Sequence, residues 1–262
     1  MGDIHELDGL FARLDDLCAM AEKGEMSASS FLSPRELHYA VSYLDRRGAR
    51  YLVFGGYPDA ERAKIHLLPD YMEGVCHGSE LAEYGYGDTV VAVEIKGSGY
   101  RRLSHRDYLG SLLGLGVQRD VLGDILVSGE MGERAVIFCD ATIREFFLSH
   151  LERIANDKVK ADCVDLDKIE LPQRSFAAIS DTVASARLDC VIAALCSVSR
   201  ERAKELVTAG LAELDFECEE RPDRGVCAPC TVSVRGYGKF RVLSVTDKTR
   251  KGRYRLLAEK YL

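Results

Sequence analysis

The residues best placed to do chemistry in this sequence are cations near its C-terminal end. Arg187 stands just ahead of an apolar run, and Arg200 and Lys204 follow at a four-residue spacing. On a helix that spacing puts both side chains on one face, where they can neutralise adjacent phosphates. Ser199 can cap that helix and donate to a sugar or phosphate. Arg235, Lys239, Arg241, Arg253 and Arg255 follow on strand-like stretches, beside Lys248, Arg250 and Lys251 in an expected turn. Tyr237 and Tyr254 among them either stack on bases or pack. The alternative for Arg200 and Lys204 is a solvated helix face with Glu201 and Glu205 as salt-bridge partners. In the RNA reading, replacing Arg200 and Lys204 together by Ala would weaken RNA binding without unfolding the domain, because substitutions on an exposed helix face usually change stability by less than about 0.5 kcal/mol.

Charge supports the polyanion reading. The 262-residue chain carries a formal −7, but residues 233–262 hold 9 Lys and Arg against 2 Asp and Glu. Residues 181–262 come to +3 and residues 1–180 to −10, an asymmetry expected of a basic binding end on an acidic body. With 47% hydrophobic and 29% charged residues, the composition is that of an ordinary globular protein. The first residues are acidic and lack a signal peptide's basic and apolar regions, and no apolar run approaches the roughly 20 residues of a membrane span, so a cytoplasmic chain without a membrane partner is expected. Nine cysteines, scattered singly, are expected to be mostly small buried hydrophobes, Cys139, Cys163, Cys190 and Cys196 among them. Cys227-Ala-Pro-Cys230 has half the ligands of a structural zinc site, with Cys218 as a potential third. A substituted turn is the expectation there, with neither metal nor cofactor.

A second basic group, Arg101, Arg102, His105, Arg106 and Arg119, brackets an expected helix over His105 to Gly114. His105 with Asp107 suggests acid–base work, but no nucleophile or cofactor loop accompanies it. A basic edge toward RNA, or helix capping and internal ion pairs, are the readings left.

These residues need scaffolds. Leu7, Leu10, Leu14 and Leu17 have helical spacing, and Ser33-Pro34-Arg35-Glu36 starts a second helix that Gly48 can end. Tyr51–Phe54, Ile65–Leu68, Thr89–Ile95, Asp124–Val127 and Ala135–Phe138 are β-rich runs, with helices over His105–Gly114 and Thr142–Ile154 between them. Asp157 to about Thr182 reads as one strand plus connector, broken at Pro172. Then come two helices, one carrying Leu188, Val191, Ile192 and Leu195, the other Ala203, Leu206 and Val207 and ended by Gly210. Ala212 to Cys218 alternates as one strand, with Glu213, Asp215 and Glu217 making an acidic face, and a small basic sheet follows.

Arg187-Leu-Asp189, Ser199-Arg200-x-x-Ala203-Lys204-x-Leu206-Val207-x-x-Gly210 and Val232 to Phe240 resemble the RNA-binding domain named for small-subunit ribosomal protein S-four. With Leu103-Ser-His-Arg-Asp-Tyr-Leu-Gly-Ser-Leu-Leu-Gly-Leu-Gly116, Arg119 and Gly123-Asp-Ile-Leu-Val127, the chain resembles the bacterial YlmH family over nearly its whole length. The resemblance implies an α+β protein in three parts: a helical region over residues 1–50, a central RNA-recognition-like α/β sandwich over 51–180, and an S-four-type domain over 181–262. It also implies a non-catalytic factor, monomeric off the ribosome, that binds ribosomal RNA of the large subunit and peptidyl-tRNA in ribosome-associated quality control, and an older cell-division label. Asp215, where the S-four pattern has Asn, and the Cys227–Cys230 turn depart from it. A further reading is a cell-division scaffold that binds protein, which the +7 charge of residues 233–262 disfavours as a sole role. The main rival is an RNA-modifying enzyme of the pseudouridine synthase type, whose catalytic motif also contains Arg-Leu-Asp. Such enzymes carry the S-four domain first, with a large catalytic domain behind it, whereas only 73 residues follow Asp189 here.

Overall fold

A computed structural model describes residues 2–169, 171, 176–248 and 252–261, those of 2–6, 247 and 248 by backbone alone. Pro172, Arg250, Lys251 and the Lys248 side chain lie outside the described residues. The chain divides into two compact units, Met1–Pro172 and Gln173–Leu262. The class is α+β, as expected. Among the described residues no helix is long and apolar enough to cross a membrane.

In the first unit, α1 (Gly2–Glu22) and α2 (Pro34–Arg47) bury the expected leucine stripe, with Leu10, Leu14 and Leu44 in the core. Ser33 caps α2 in a capping box with Glu36, and Gly48 ends it in the left-handed conformation at φ 64°. Between and after these helices run β1 (Ser27–Ala28), β2 (Tyr51–Phe54) and β3 (Lys64–Leu67), an antiparallel sheet in the order β1-β3-β2. The Tyr51 and Ile65 runs therefore build a small sheet of their own under the helices, because Ile65 and Leu67 share a core with Leu14 and Leu44.

The remainder of this unit is β4 (Val90–Gly97), α3 (His105–Gly114), β5 (Leu122–Ser128), β6 (Arg134–Asp140), α4 (Arg144–His150), β7 (Arg153–Ile154) and β8 (Asp157–Val164). The strand order β5-β6-β4-β8-β7, all antiparallel, and the β-α-β-β-α-β succession make the expected RNA-recognition-like sandwich. Alternation sorts its two faces. Val91, Val93, Ile95 and Ile137 pack on Tyr108, Leu112 and Phe147 of the helices. Val90, Ala92 and Phe138 face the other way and are covered by Phe31, Phe54 and Tyr57. Gly56, at φ +99°, brings a turn onto this face: a Cβ there would lie 2.3 Å from the Phe138 ring. The unit also buries polar groups. Lys64 Nζ meets Asp140 Oδ2 at 2.5 Å, and the fully buried His66 is hydrogen-bonded through Nε2 to Thr89 Oγ1 at 2.7 Å.

The second unit is β9 (Phe176–Val183), α5 (Leu188–Leu195), α6 (Arg200–Thr208), β10 (Ala212–Leu214), β11 (Glu217–Cys218), β12 (Cys230–Val234), β13 (Gly238–Lys248) and β14 (Tyr254–Tyr261). Its sheet is antiparallel in the order β11-β10-β12-β13-β14-β9. Leu188, Val191, Ile192, Ala203, Leu206 and Val207 pack the two helices onto Val232, Phe240, Val242 and Leu256 of one sheet face.

Several sequence readings change, among them the expected Thr142–Ile154 helix, of which α4 spans only Arg144–His150 with Arg153 and Ile154 in β7. The stretch to Thr182 holds a second long strand, β9, which pairs along the whole of β14. The expected single strand over Ala212–Cys218 is a hairpin, because Asp215 and Phe216 both take positive φ, 49° and 70°. A two-residue turn of that kind usually carries Gly or Asn. Asp215 is therefore no part of an acidic strand face: its Oδ1 accepts from Thr231 N at 2.8 Å. Of the cysteines, Cys139 and Cys190 are buried as expected, whereas Cys163 is exposed and Cys196 half-buried.

Candidate RNA interface

Arg187 is the N-cap of α5 and Arg200 the first residue of α6. The packing of the two helices brings both guanidiniums to one carboxylate. Arg187 donates through Nε and Nη2 to the two oxygens of Asp189 at 3.2 Å, and Arg200 Nε donates to Asp189 Oδ2 at 3.0 Å. Asp189 is fully buried, while the arginine side chains remain 39% and 47% exposed. Burial by itself would raise the Asp189 pKa; the hydrogen bonds from Arg187 and Arg200 outweigh it and hold the carboxyl below its usual range. Two cations against one anion leave positive charge at the surface, with both guanidiniums fixed in place before any ligand arrives.

Lys204, one turn along α6, is exposed. Ser199 caps α6 by accepting from Arg202 N at 3.1 Å. The pairing expected with Glu205 belongs to Arg202, at 2.8 Å. Arg187, Ser199, Arg200 and Lys204 thus share one helical surface. Sequence reasoning missed Asp189 as the group that positions it, although the Arg-Leu-Asp motif held the signal. The expectation that Arg200 can be removed at negligible cost is also overturned, because its partner is a buried carboxylate.

The other C-terminal cations split away. Lys239 and Arg241 alternate with buried Phe240 and Val242, so they project from the sheet face opposite the helices. There Lys239 Nζ lies 5.4 Å from the Phe216 ring centroid and 5.1 Å from that of Tyr261, and the Arg241 guanidinium lies 5.9 Å from Phe176. Arg241 also faces Glu259 at 3.4 Å. Arg255 is exposed on β14, and Arg235 is exposed at the hairpin between β12 and β13. Arg253 is committed to Thr182, donating to its Oγ1 at 3.0 Å and its carbonyl at 2.6 Å. Tyr237 and Tyr254 pack, half-buried, against the helix–sheet core.

In the first unit Arg101, Arg102 and Arg106 are exposed around the start of α3. Ser104 and Asp107 cap that helix, and hydrogen bonds from Ser104, with Arg101 and Arg106 nearby, hold the Asp107 carboxyl below its ordinary pKa. His105 has its pKa lowered by burial and by the Arg119 charge. Arg119 turns inward, Nη1 donating to the carbonyls of Leu122 at 3.3 Å and Gly123 at 3.2 Å. The sheet face where an RNA-recognition fold would stack bases is closed over Phe138 by Phe31 and Tyr57, and its further end carries Glu94 between Arg134 and Lys96, each at 2.8 Å.

Cys230 lies in the core at the start of β12, where burial pushes its thiol pKa up to about 12, and Cys227 is exposed. Both are free thiols. Among the described residues no group of three or more His, Cys, Asp or Glu side chains could hold a metal ion.

An RNA-recognition-like sandwich and a second unit with a prearranged cationic helix surface define an RNA-binding protein. Residues 89–168, which span β4 to β8, match the family model described as "Putative RNA-binding domain in YlmH". The chain is 29% identical over 241 residues to the ribosome-associated protein quality control protein P2 of Bacillus subtilis (strain 168), covering 91% of this chain and 89% of that protein. A solved structure of the cell division protein ylmH from Streptococcus pneumoniae superposes with a TM-score of 0.47 at 19% identity, over 64% of this chain and 92% of the other. The YlmH resemblance read from the His105-Arg106-Asp107 segment and the C-terminal motif is borne out.

Proposed function

We propose that this chain is a non-catalytic RNA-binding factor of the ribosome, acting in the cytoplasm on large subunits that carry obstructed peptidyl-tRNA. Its relative from Bacillus subtilis is named for ribosome-associated quality control, which supports the setting. The observation that carries the reading is the Arg187–Asp189–Arg200 cluster beside Lys204. It fixes cations by hydrogen bonds at an exposed helical surface, the arrangement that phosphate positioning needs. The same cluster argues against a pseudouridine synthase, whose Asp must reach a substrate: Asp189 is 0% exposed and engaged by two arginines. Arg235, Lys239, Arg241 and Arg255 add phosphate contacts on the second unit in this reading. Arg101, Arg102, His105 and Arg106 form a weaker edge on the first. Arg253 and Arg119 act as supports, held as they are by carbonyls and Thr182.

Residues 173–262 have a core of their own and are expected to fold alone and bind structured RNA. Four phosphate contacts release enough counterions to cut affinity about a hundredfold between 50 and 200 mM salt. Filter binding across that range tests this, and Lys204→Ala is expected to reduce the log–log slope by about one. A flat salt profile would contradict the electrostatic reading, and an unchanged slope in Lys204→Ala would remove Lys204 from the interface.

A further inference from the structure

The first unit contains a second cationic feature, which shares only Arg119 with the expected basic edge. A cleft of about 410 Å³ lies where α1 and the start of α2 meet the segment ahead of β5. Arg13, Arg35, Arg62 and Arg119 line it, against the carboxylates of Glu36 and Asp120. Arg62 and Arg119 converge on one atom: Arg62 Nε donates to the Leu122 carbonyl at 2.9 Å, and Arg119 Nη1 to the same oxygen at 3.3 Å. Arg62 Nη2 further donates to the carbonyls of Phe31 and Arg119, each at 3.0 Å.

Carbonyl dipoles fix the two guanidiniums without cancelling their charge. Three acids, Glu36, Asp120 and Asp124, partly offset that charge, and two of them are held by other donors. Asp124 accepts from Tyr57 Oη and from the backbone N–H groups of Glu61 and Arg62, and Glu36 accepts from Ser33 N at the cap of α2. Burial, and for Arg119 the neighbouring Arg62 charge, lower the pKa of both, Arg119 to about 10. Four arginines against Glu36 and Asp120 leave net positive charge in the lining, which a bound anion would offset. A guanidinium fork matches a phosphate through paired N–H donors, and the cleft has room for one or two phosphoryl groups.

We propose that this cleft is a phosphate-binding site, filled by a phosphoryl group of an RNA or of a small molecule. It belongs to residues 1–172 alone, so failure of RNA binding by residues 173–262 would leave it standing, and its own failure would leave the C-terminal surface untouched. Pyrophosphate titrated into the full-length protein by calorimetry tests it. Saturable binding is expected, weakened tenfold or more by Arg13→Ala, an exposed position on α1, and by Arg119→Lys, which keeps charge but loses the fork. Arg13→Ala keeps the test decisive if Arg119→Lys does not fold. Displacement of pyrophosphate by a 5′-phosphorylated RNA oligonucleotide but not by its 5′-hydroxyl form assigns the site to an RNA end. Displacement by both assigns it to backbone phosphates, and displacement by neither assigns it to a small phosphorylated ligand. Absence of saturable binding, or binding unchanged in every folded variant, overturns the proposal.

Discussion

Replacing Arg187 and Arg200 together by Ala is expected to destabilise the second unit by about 3 kcal/mol, which can be read from urea unfolding of residues 173–262. The cause is Asp189, which is fully buried and takes three hydrogen bonds from these two side chains. Without them it is a buried carboxylate with no cation beside it, keeping only the bond from Cys190 N at 2.9 Å, a defect that costs about 3–5 kcal/mol. The low end applies because the arginines are about half-exposed and water can reach the vacated edge. Arg200→Ala by itself should cost less, about 1–2 kcal/mol, since Arg187 keeps its two bonds. Protonation relieves the defect, so the loss should shrink as pH falls toward the carboxylate range. A double variant as stable as the parent would show that the Asp189 cluster is not formed.

Acid should destabilise the first unit, also by about 3 kcal/mol between pH 7 and pH 4. His66 has its pKa lowered to about 4, first by burial and then by the Lys64 charge. An unfolded histidine titrates near 6.5, so its contribution to stability is fully present above that value. It is lost as pH falls through the window from about 6.5 to about 4, where the unfolded chain takes up a proton that the folded one refuses. Asp140 titrates on the same side: its burial raises its pKa, but bonds from Lys64 and Thr142 lower it further. A His66→Gln variant separates the two, because it should remove the loss between pH 6.5 and 5 and leave the more acidic part. Equal slopes in parent and variant across that window would contradict the assignment to His66.

Features encoded within a few residues were legible in the sequence. The Ser33–Glu36 capping box, the left-handed Gly48, the bounds of α3 and the inward faces of α5 and α6 follow from spacing and cap chemistry. Features that depend on distant partners were not. Arg187 and Arg200 read as phosphate contacts, but their meeting at Asp189 requires one helix packed on another. Arg119 read as part of the α3 edge, whereas Arg62, 57 residues away, shares its carbonyl partner. In β9, Ala177 and Ala178 dilute the alternation, and the strand is held by pairing with β14 at the far end of the unit. The turn at Asp215-Phe216 lacks the glycine that signals a hairpin, so a regular alternation of side chains ran straight through it.

The most direct measurement is co-sedimentation with purified large ribosomal subunits, comparing the full chain with residues 1–172. The full chain should pellet with the subunits, more strongly when they carry peptidyl-tRNA, and should be released as salt rises. Residues 1–172, which lack the Arg187–Asp189–Arg200 cluster and Lys204, should stay in the supernatant or bind only weakly through the α3 edge. A truncated chain that pellets as fully as the intact one would contradict the assignment of RNA binding to the second unit, and an intact chain that never pellets would contradict the ribosomal role.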